Sequence, residues 1–167
     1  MRDLPRAGLS VAAIVFAVDQ LVKWLVTGPL GIRALGDVRE VLPVFDLRFV
    51  PNMGVSLGFL RAESDAARWL LVLMTAAIAT GVAVWMFRER NRYEQAALGL
   101  VLGGALGNIL DRVRFGYVVD FADLHFGEWR PFLVFNVADA AITIGVAVLL
   151  LRALFVRDGS QTEKVNA

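Results

Sequence analysis

Four apolar runs, each close to the length needed to cross a membrane, dominate this sequence of 167 residues. A helix of about 20 residues spans the hydrocarbon core of a bilayer, where every backbone N–H and C=O needs a partner within the protein. A helix supplies those partners by itself, so we predict an all-α membrane protein with four transmembrane helices. The runs cover residues 8–27, 69–87, 95–113 and 132–155.

The composition agrees with this prediction and narrows the chemistry. Hydrophobic residues make up 57% of the chain and the mean hydropathy is +0.62, whereas soluble domains are about 45–50% apolar. The net charge of +1 gives no reason to expect a nucleic-acid partner. With no cysteine and one histidine, His125, the chain offers no disulfide, no thiolate site and no His-rich metal site.

Two polar segments separate the apolar runs. Residues 28–68 contain a run with period-2 character at 44–50, which predicts a small β-containing cap on one membrane face. Residues 114–131 form a shorter loop rich in aromatic residues, which favour the membrane interface.

Arginine density suggests how the helices are oriented. Arg88, Arg90 and Arg92 crowd the short loop between the second and third runs, and basic residues in short loops favour the cytoplasmic side. We therefore expect both termini in the cytoplasm, with the cap and the segment 114–131 outside. This orientation brings the polar residues of four separate segments to the outer leaflet.

Two aspartates occupy positions where a carboxylate is costly. Asp139 lies within the fourth apolar run and Asp120 shortly before it, and charged groups at membrane depth usually have a function. Asn136 and Asp139 are spaced i, i+3, so we expect them to share a helix face. Two nearby carboxylates can share one proton and activate a water molecule without a metal or other cofactor, which is aspartic-protease chemistry.

The other polar residues permit structural as well as functional interpretations. Asn108, Asp111 and Arg112 share one helix face, and Arg112 could pair with Asp111 or with a lipid phosphate. Asp19 and Lys23 form an i, i+4 pair that either orients the first helix or contacts substrate. The third apolar run, residues 95–113, also contains several glycines that are best explained by close helix packing: Gly99, Gly103, Gly104 and Gly107.

Five short motifs follow one another along the chain: Asp19-Gln20 with Lys23, Asn52-x-Gly54, Gly103-Gly104-Ala105-Leu106-Gly107-Asn108 with Asp111-Arg112, Val119-Asp120-Phe121, and Phe135-Asn136-x-Ala138-Asp139. Their order and spacing resemble those of the lipoprotein signal peptidase family (signal peptidase II). The resemblance covers about residues 15–145, and its last three motifs are highly specific together. The sequence departs from the family's pattern directly after Asn52-x-Gly54, where residues 55–59 read Val-Ser-Leu-Gly-Phe.

The resemblance implies an aspartic endopeptidase of the bacterial inner membrane, with Asp120 and Asp139 as the catalytic dyad. It implies that prolipoproteins are cleaved before the diacylglyceryl-modified cysteine, with lipid-modified signal peptides and membrane lipids as partners. We expect no metal, no other cofactor and a functional monomer. Substrate-binding or support roles are implied for Asp19, Lys23, Asn52, Gly54, Asn108, Asp111, Arg112 and Asn136.

Two other classes of function remain open on the residues alone. A small proton-coupled transporter could use Asp120 and Asp139 as a proton relay. The second apolar run carries no polar path, however, and the polar residues gather at one leaflet. A structural membrane subunit would show no acid-dependent activity.

Overall fold

Four long helices form the body of the protein, and together with a small antiparallel sheet they confirm the predicted fold class. The computed structural model describes residues 4–54 and 65–155. Within these residues, each of the four helices is long and apolar enough to cross a membrane. Residues 55–64 of the predicted cap, which include the departure from the family pattern at 55–59, lie outside the described residues. The helices are α1 (Arg6–Thr27), α2 (Asp65–Arg88), α3 (Arg92–Phe115) and α4 (Val137–Phe155).

Helix α4 begins at Val137, later than the apolar run that starts at residue 132. The preceding residues are extended, because Phe135 forms an isolated β-bridge with Ala122. The Phe135 carbonyl accepts the N–H of Ala122 at 2.8 Å, and the Phe135 N–H returns a bond of 3.1 Å. Hydropathy does not reveal this boundary, since an extended apolar segment and a helical one have the same composition.

Helix α3 is the centre of the bundle and packs against the other three helices. Its glycines permit this close approach. A Cβ at Gly103 would lie 2.5 Å from the Ala12 carbonyl oxygen of α1, and one at Gly104 would lie 2.5 Å from the Ala138 carbonyl oxygen of α4. The packing role predicted for these glycines is therefore confirmed.

Helix α3 has well-defined ends. Asn91 caps the N-terminus, where its side chain accepts the N–H groups of Tyr93 and Glu94. Gly116 ends the helix in the left-handed region at φ +86°, and its N–H bonds the Arg112 carbonyl. The chain then turns directly into the sheet.

The sheet has three antiparallel strands in the order β1-β2-β3, where β1 is Val38–Leu42, β2 is Phe45–Asn52 and β3 is Val118–Leu124. The strand predicted at residues 44–50 corresponds to β2. Strand β3 lies within the segment interpreted as a loop, so the cap is assembled from both connections. The residues of β3 are almost all buried, so the strand lacks the alternation of apolar and polar residues that would have identified it in the sequence.

An apolar cluster joins the sheet to the end of α1. Val26 from α1 packs with Ile32 and Phe49, and with Val119 and Phe121 from β3. This cluster fixes β3 above the helix ends, and β3 carries Asp120.

Candidate active site

Asp139 lies in the first turn of α4, three residues after Asn136, which caps the helix. Asn136 Oδ1 accepts the N–H of Asp139 at 2.9 Å, and the N–H of Asn136 donates to Asp139 Oδ2 at 3.3 Å. This reciprocal pair is a capping box. The two residues were expected on one face of a helix, but Asn136 precedes the helix as its cap. The side chain of Asp139 therefore lies at the positive end of the helix dipole.

Asp120 lies in β3 and its side chain points to the same site. The residue is 2% exposed, and its two oxygens accept from Asn136 Nδ2 at 2.6 Å and from Asn52 Nδ2 at 2.9 Å. The pKa of Asp120 is raised to about 6, mainly by burial. The negative charge of Asp139 also raises this pKa, and the hydrogen bonds from the two asparagines act in the opposite direction.

Asparagine side chains connect the two carboxylates. Asn136 binds both of them, and Asn108 Nδ2 donates to Asp139 Oδ1 at 2.9 Å. Each of the four carboxylate oxygens therefore accepts an amide N–H. The structure therefore brings Asp120 and Asp139 into one site, where Asn136 joins them.

A buried ion triad lies behind this site. Lys23 Nζ is 2.8 Å from Asp19 Oδ2 and 2.8 Å from Asp111 Oδ2, and it donates to Asn108 Oδ1 at 3.2 Å. The predicted intrahelical pair of Asp19 and Lys23 is present. Asp111 also pairs with Lys23, so α1 and α3 are joined by charge.

The triad holds the backbone on both sides of the site. Asp19 Oδ1 accepts the N–H of Ala138, which precedes the aspartate of α4, at 2.9 Å. Asp111 Oδ2 accepts the N–H of Val119, which precedes the aspartate of β3, at 3.1 Å. The positions of the two carboxylates are thereby coupled through one lysine.

The remaining predicted residues border the same site. The N–H of Gly54 donates to Asn52 Oδ1 at 2.9 Å, and Gly54 adopts φ +89°, a conformation that favours glycine. This turn orients Asn52 so that its Nδ2 faces Asp120. Arg112 is half-buried, and its Nη1 donates to the Asn108 carbonyl at 3.4 Å.

Two further buried aspartates were missed in the sequence. Asp123 is bound by Arg48 at 3.0 Å and by Arg130 at 3.2 Å, and Asp46 lies 3.2 Å from His125 Nε2. An odd spacing in a strand places two side chains on opposite faces. That rule separates Asp123 from Asp120 and could have identified Asp123 as part of the cap structure.

The fold and the site together define a multi-pass membrane protein with two neighbouring carboxylates, the buried Asp120 and the half-buried Asp139, at the cap end of a four-helix bundle. Residues 11–155 match the model of the signal peptidase (SPase) II family. The chain therefore belongs to the signal peptidase II family, and it is a bacterial membrane peptidase. The resemblance seen in the motifs is confirmed.

Named relatives and a solved structure agree with this assignment. The chain is 60% identical to the lipoprotein signal peptidase of Rhizorhabdus wittichii, covering 90% of this chain and 87% of that protein. It is 54% identical to the lipoprotein signal peptidase of Sphingopyxis alaskensis, covering 89% and 86% respectively. A solved structure described as a bacterial membrane enzyme superposes with a TM-score of 0.76 at 30% identity, covering 90% of this chain and 94% of that one.

Proposed function

We propose that this protein is an aspartic endopeptidase that removes signal peptides from prolipoproteins by cleaving before the diacylglyceryl-modified cysteine. The observation that carries the aspartic assignment is Asn136, which hydrogen-bonds Asp120 and Asp139 at once. The substrate class is supported by the relatives, which are lipoprotein signal peptidases.

In the proposed mechanism, Asp139 is the ionised member of the dyad and Asp120 holds the proton. Asp139 takes a proton from water as the water oxygen attacks the scissile carbonyl carbon, and Asp120 donates its proton to the carbonyl oxygen. The resulting diol collapses when Asp139 returns its proton to the departing amine nitrogen and Asp120 recovers a proton from a diol hydroxyl. The C–N bond breaks in this step and the dyad is restored.

The environments of the two carboxyl groups favour this division of roles. Asp139 is in the first turn of a helix, where a negative charge is stabilised. Asp120 is on a strand and not at a helix N-terminus, and burial opposes its ionisation. Arg112 binds the backbone of Asn108, whose side chain donates to Asp139, and in this mechanism its charge stabilises negative charge that develops in the transition state.

The transporter alternative lacks a route for protons. The polar residues gather at the cap end, and α2 carries no charged side chain between Arg68 and Arg88. Membership of a peptidase family also argues against a transporter and against a structural subunit.

The dyad is tested by replacing each aspartate with asparagine. Asp120→Asn and Asp139→Asn keep the shape of the side chain but remove the shared proton. Each should lower cleavage of a lipidated precursor peptide by at least about 10²–10⁴-fold. Turnover by purified protein is the measurement, and Glu40→Gln, which neutralises an exposed carboxylate on β1, is the matched control. Near-normal turnover by either folded aspartate variant would refute the dyad.

The lipid requirement is tested with one precursor peptide made with and without the diacylglyceryl group. Burying acyl chains against the apolar helices contributes roughly 0.8 kcal/mol per CH₂. The unlipidated peptide lacks this contribution and should be cleaved far more slowly or not at all. Equal kcat/KM for the two peptides would mean that the lipid is not recognised and that the enzyme is a more general signal peptidase.

A further inference from the structure

A cavity of about 170 Å³ lies at the cap end of α1 and α3, and Lys23 and Asp111 of the ion triad form part of its wall. Neither Asp120 nor Asp139 is among the described residues that line it. Its walls combine basic and aromatic side chains. Those that carry the argument are Lys23, Trp24, Arg33, Arg114, Phe115 and Tyr117.

Two of the three basic residues in this wall are free to bind a ligand. Lys23 is saturated, because it already binds two carboxylates and an asparagine. Arg33 and Arg114 are exposed, and neither forms an ion pair with another described residue. The Arg114 guanidinium lies 5.0 Å from the centre of the Phe115 ring. Two guanidinium groups at one cavity are suited to a phosphate, which they bind through paired N–H donors.

The loop that carries Arg33 is fixed in place. The carboxylate of Asp37 accepts the backbone N–H groups of Arg33 and Ala34 at 3.0 and 2.8 Å. These bonds hold the pKa of Asp37 below its usual range. The backbone of the loop is therefore set before any ligand binds, while the Arg33 guanidinium forms no ion pair within 4 Å among the described residues.

The cavity borders the exposed apolar face of α1 at Trp24. Trp24 is 60% exposed at its edge, and an apolar stripe continues along the helix away from the cap. Such a stripe can accept an acyl chain, and an aromatic residue at its end is typical of the headgroup level. The stripe consists of Ile14, Val18, Leu21 and Leu25.

We propose that this cavity binds the phosphate of a membrane phospholipid between Arg33 and Arg114. Its volume is below the roughly 300 Å³ of a site for a drug-sized molecule, so only the headgroup enters, with the acyl chains along α1. The diacylglyceryl group of the proposed substrate carries no phosphate. The cavity is therefore a lipid site distinct from the substrate site.

The two arginines decide whether an anion can bind here. Helices α1 and α3 both end at this cavity, and a helix C-terminus carries about half a negative charge. Without the arginines the cavity would repel a phosphate. Replacing both should weaken phospholipid binding roughly 30-fold.

Native mass spectrometry of the detergent-purified full chain, titrated with phosphatidylglycerol, measures this effect. The test variant is the double replacement Arg33→Gln with Arg114→Gln. Its matched control is Arg39→Gln with Arg92→Gln, two exposed arginines outside the cavity that should leave binding unchanged. The charge-preserving pair Arg33→Lys with Arg114→Lys should retain most of the affinity.

Two further titrations identify the ligand. Dioleoylglycerol, which lacks the phosphate, should bind weakly and without dependence on the arginines, and inorganic phosphate should not displace the lipid at equal concentration. The proposal is overturned if the glutamine pair binds phosphatidylglycerol like the control pair. It is equally overturned if dioleoylglycerol binds as tightly, or if free phosphate displaces the lipid and is the true ligand. Because no arm measures cleavage, the outcome is independent of the proposed peptidase mechanism.

Discussion

Asn136 has a role that only an amide side chain can perform. Its Nδ2 donates to Asp120, and its Oδ1 accepts the N–H of Asp139. An aspartate at this position would be acceptor-only, and an alanine would remove both bonds. Among single residues, the amide groups of the site determine where each carboxylate lies, and those of Asn52 and Asn136 lower the pKa of Asp120 against the effect of burial.

The pH dependence of cleavage follows from Asp120. With its pKa raised to about 6, the protonated form needed in the proposed mechanism is lost as pH rises through that value. We expect kcat/KM to fall on the alkaline side with a midpoint near pH 6. The hydrogen bond from Asn52 favours the ionised form, so Asn52→Ala should move this midpoint to higher pH by about one unit. The measurement is kcat/KM against pH for both proteins.

The neighbouring replacement Met53→Ala is the control, because Met53 makes no hydrogen bond to Asp120 among the described residues. If Asn52→Ala shifts the acid limb instead, Asp120 is the base and the assignment of roles is reversed. An unchanged profile would show that Asp120 does not control the alkaline limb.

At the scale of elements, the site depends on how closely three helices approach. Helix α3 contacts α1 through one set of glycines and α4 through Gly104. The contact at Gly104 falls on the carbonyl of Ala138, one residue before Asp139. The spacing of α3 and α4 therefore sets the position of one carboxylate.

Gly104→Ala should impair both stability and activity. Its Cβ would lie 2.5 Å from a backbone oxygen, so α4 must shift. Overpacking of this kind costs about 1–3 kcal/mol, and a displaced catalytic group can cost up to about 10²-fold in rate. We expect a lower thermal midpoint in detergent and a fall in kcat. These are measured by thermal unfolding and by turnover of the lipidated peptide.

Gly81→Ala in α2 is the matched control for this change. A Cβ at Gly81 meets no described atom within 4 Å, so alanine should be neutral or slightly stabilising through its higher helix propensity. If both alanine variants behave alike, the close contact between α3 and α4 does not limit stability or activity.

At the scale of the whole molecule, the sheet and all the residues of the site lie at one end of the bundle. The connection between α2 and α3, with its arginines, lies at the other end. The arginine density predicts that this second end faces the cytoplasm. The peptide bond of an exported lipoprotein would then meet the dyad at the outer face.

Cysteine labelling tests this topology directly, because the chain contains no cysteine. Leu35→Cys, at an exposed position in the cap, should react with a membrane-impermeant reagent in intact cells. Arg90→Cys, in the connection at the other end, should react only after the membrane is permeabilised. The reverse pattern would overturn the orientation and the side of the membrane assigned to the site.

Several features of the site were accessible from the sequence because they depend on local spacing. Lys23 and Asp19 are one helical turn apart, and this pair is present as predicted. The capping box of Asn136 and Asp139 was also encoded, but the apolar residues before it suggested an uninterrupted helix. The partner of Asp111 could not be predicted, because Lys23 is distant in sequence and Arg112 is adjacent.

The sequence by itself determined the four helices and the candidate carboxylates, because length, hydropathy and the cost of a charge in an apolar run are properties of local segments. The tertiary structure alone decided that β3 joins the cap and that Asn136 binds both aspartates. It alone decided that one lysine couples the backbone before each of them. These features arise from contacts between residues far apart in the chain. Their partners are chosen by packing and by hydrogen-bond satisfaction in three dimensions, which leave no periodic pattern in the sequence.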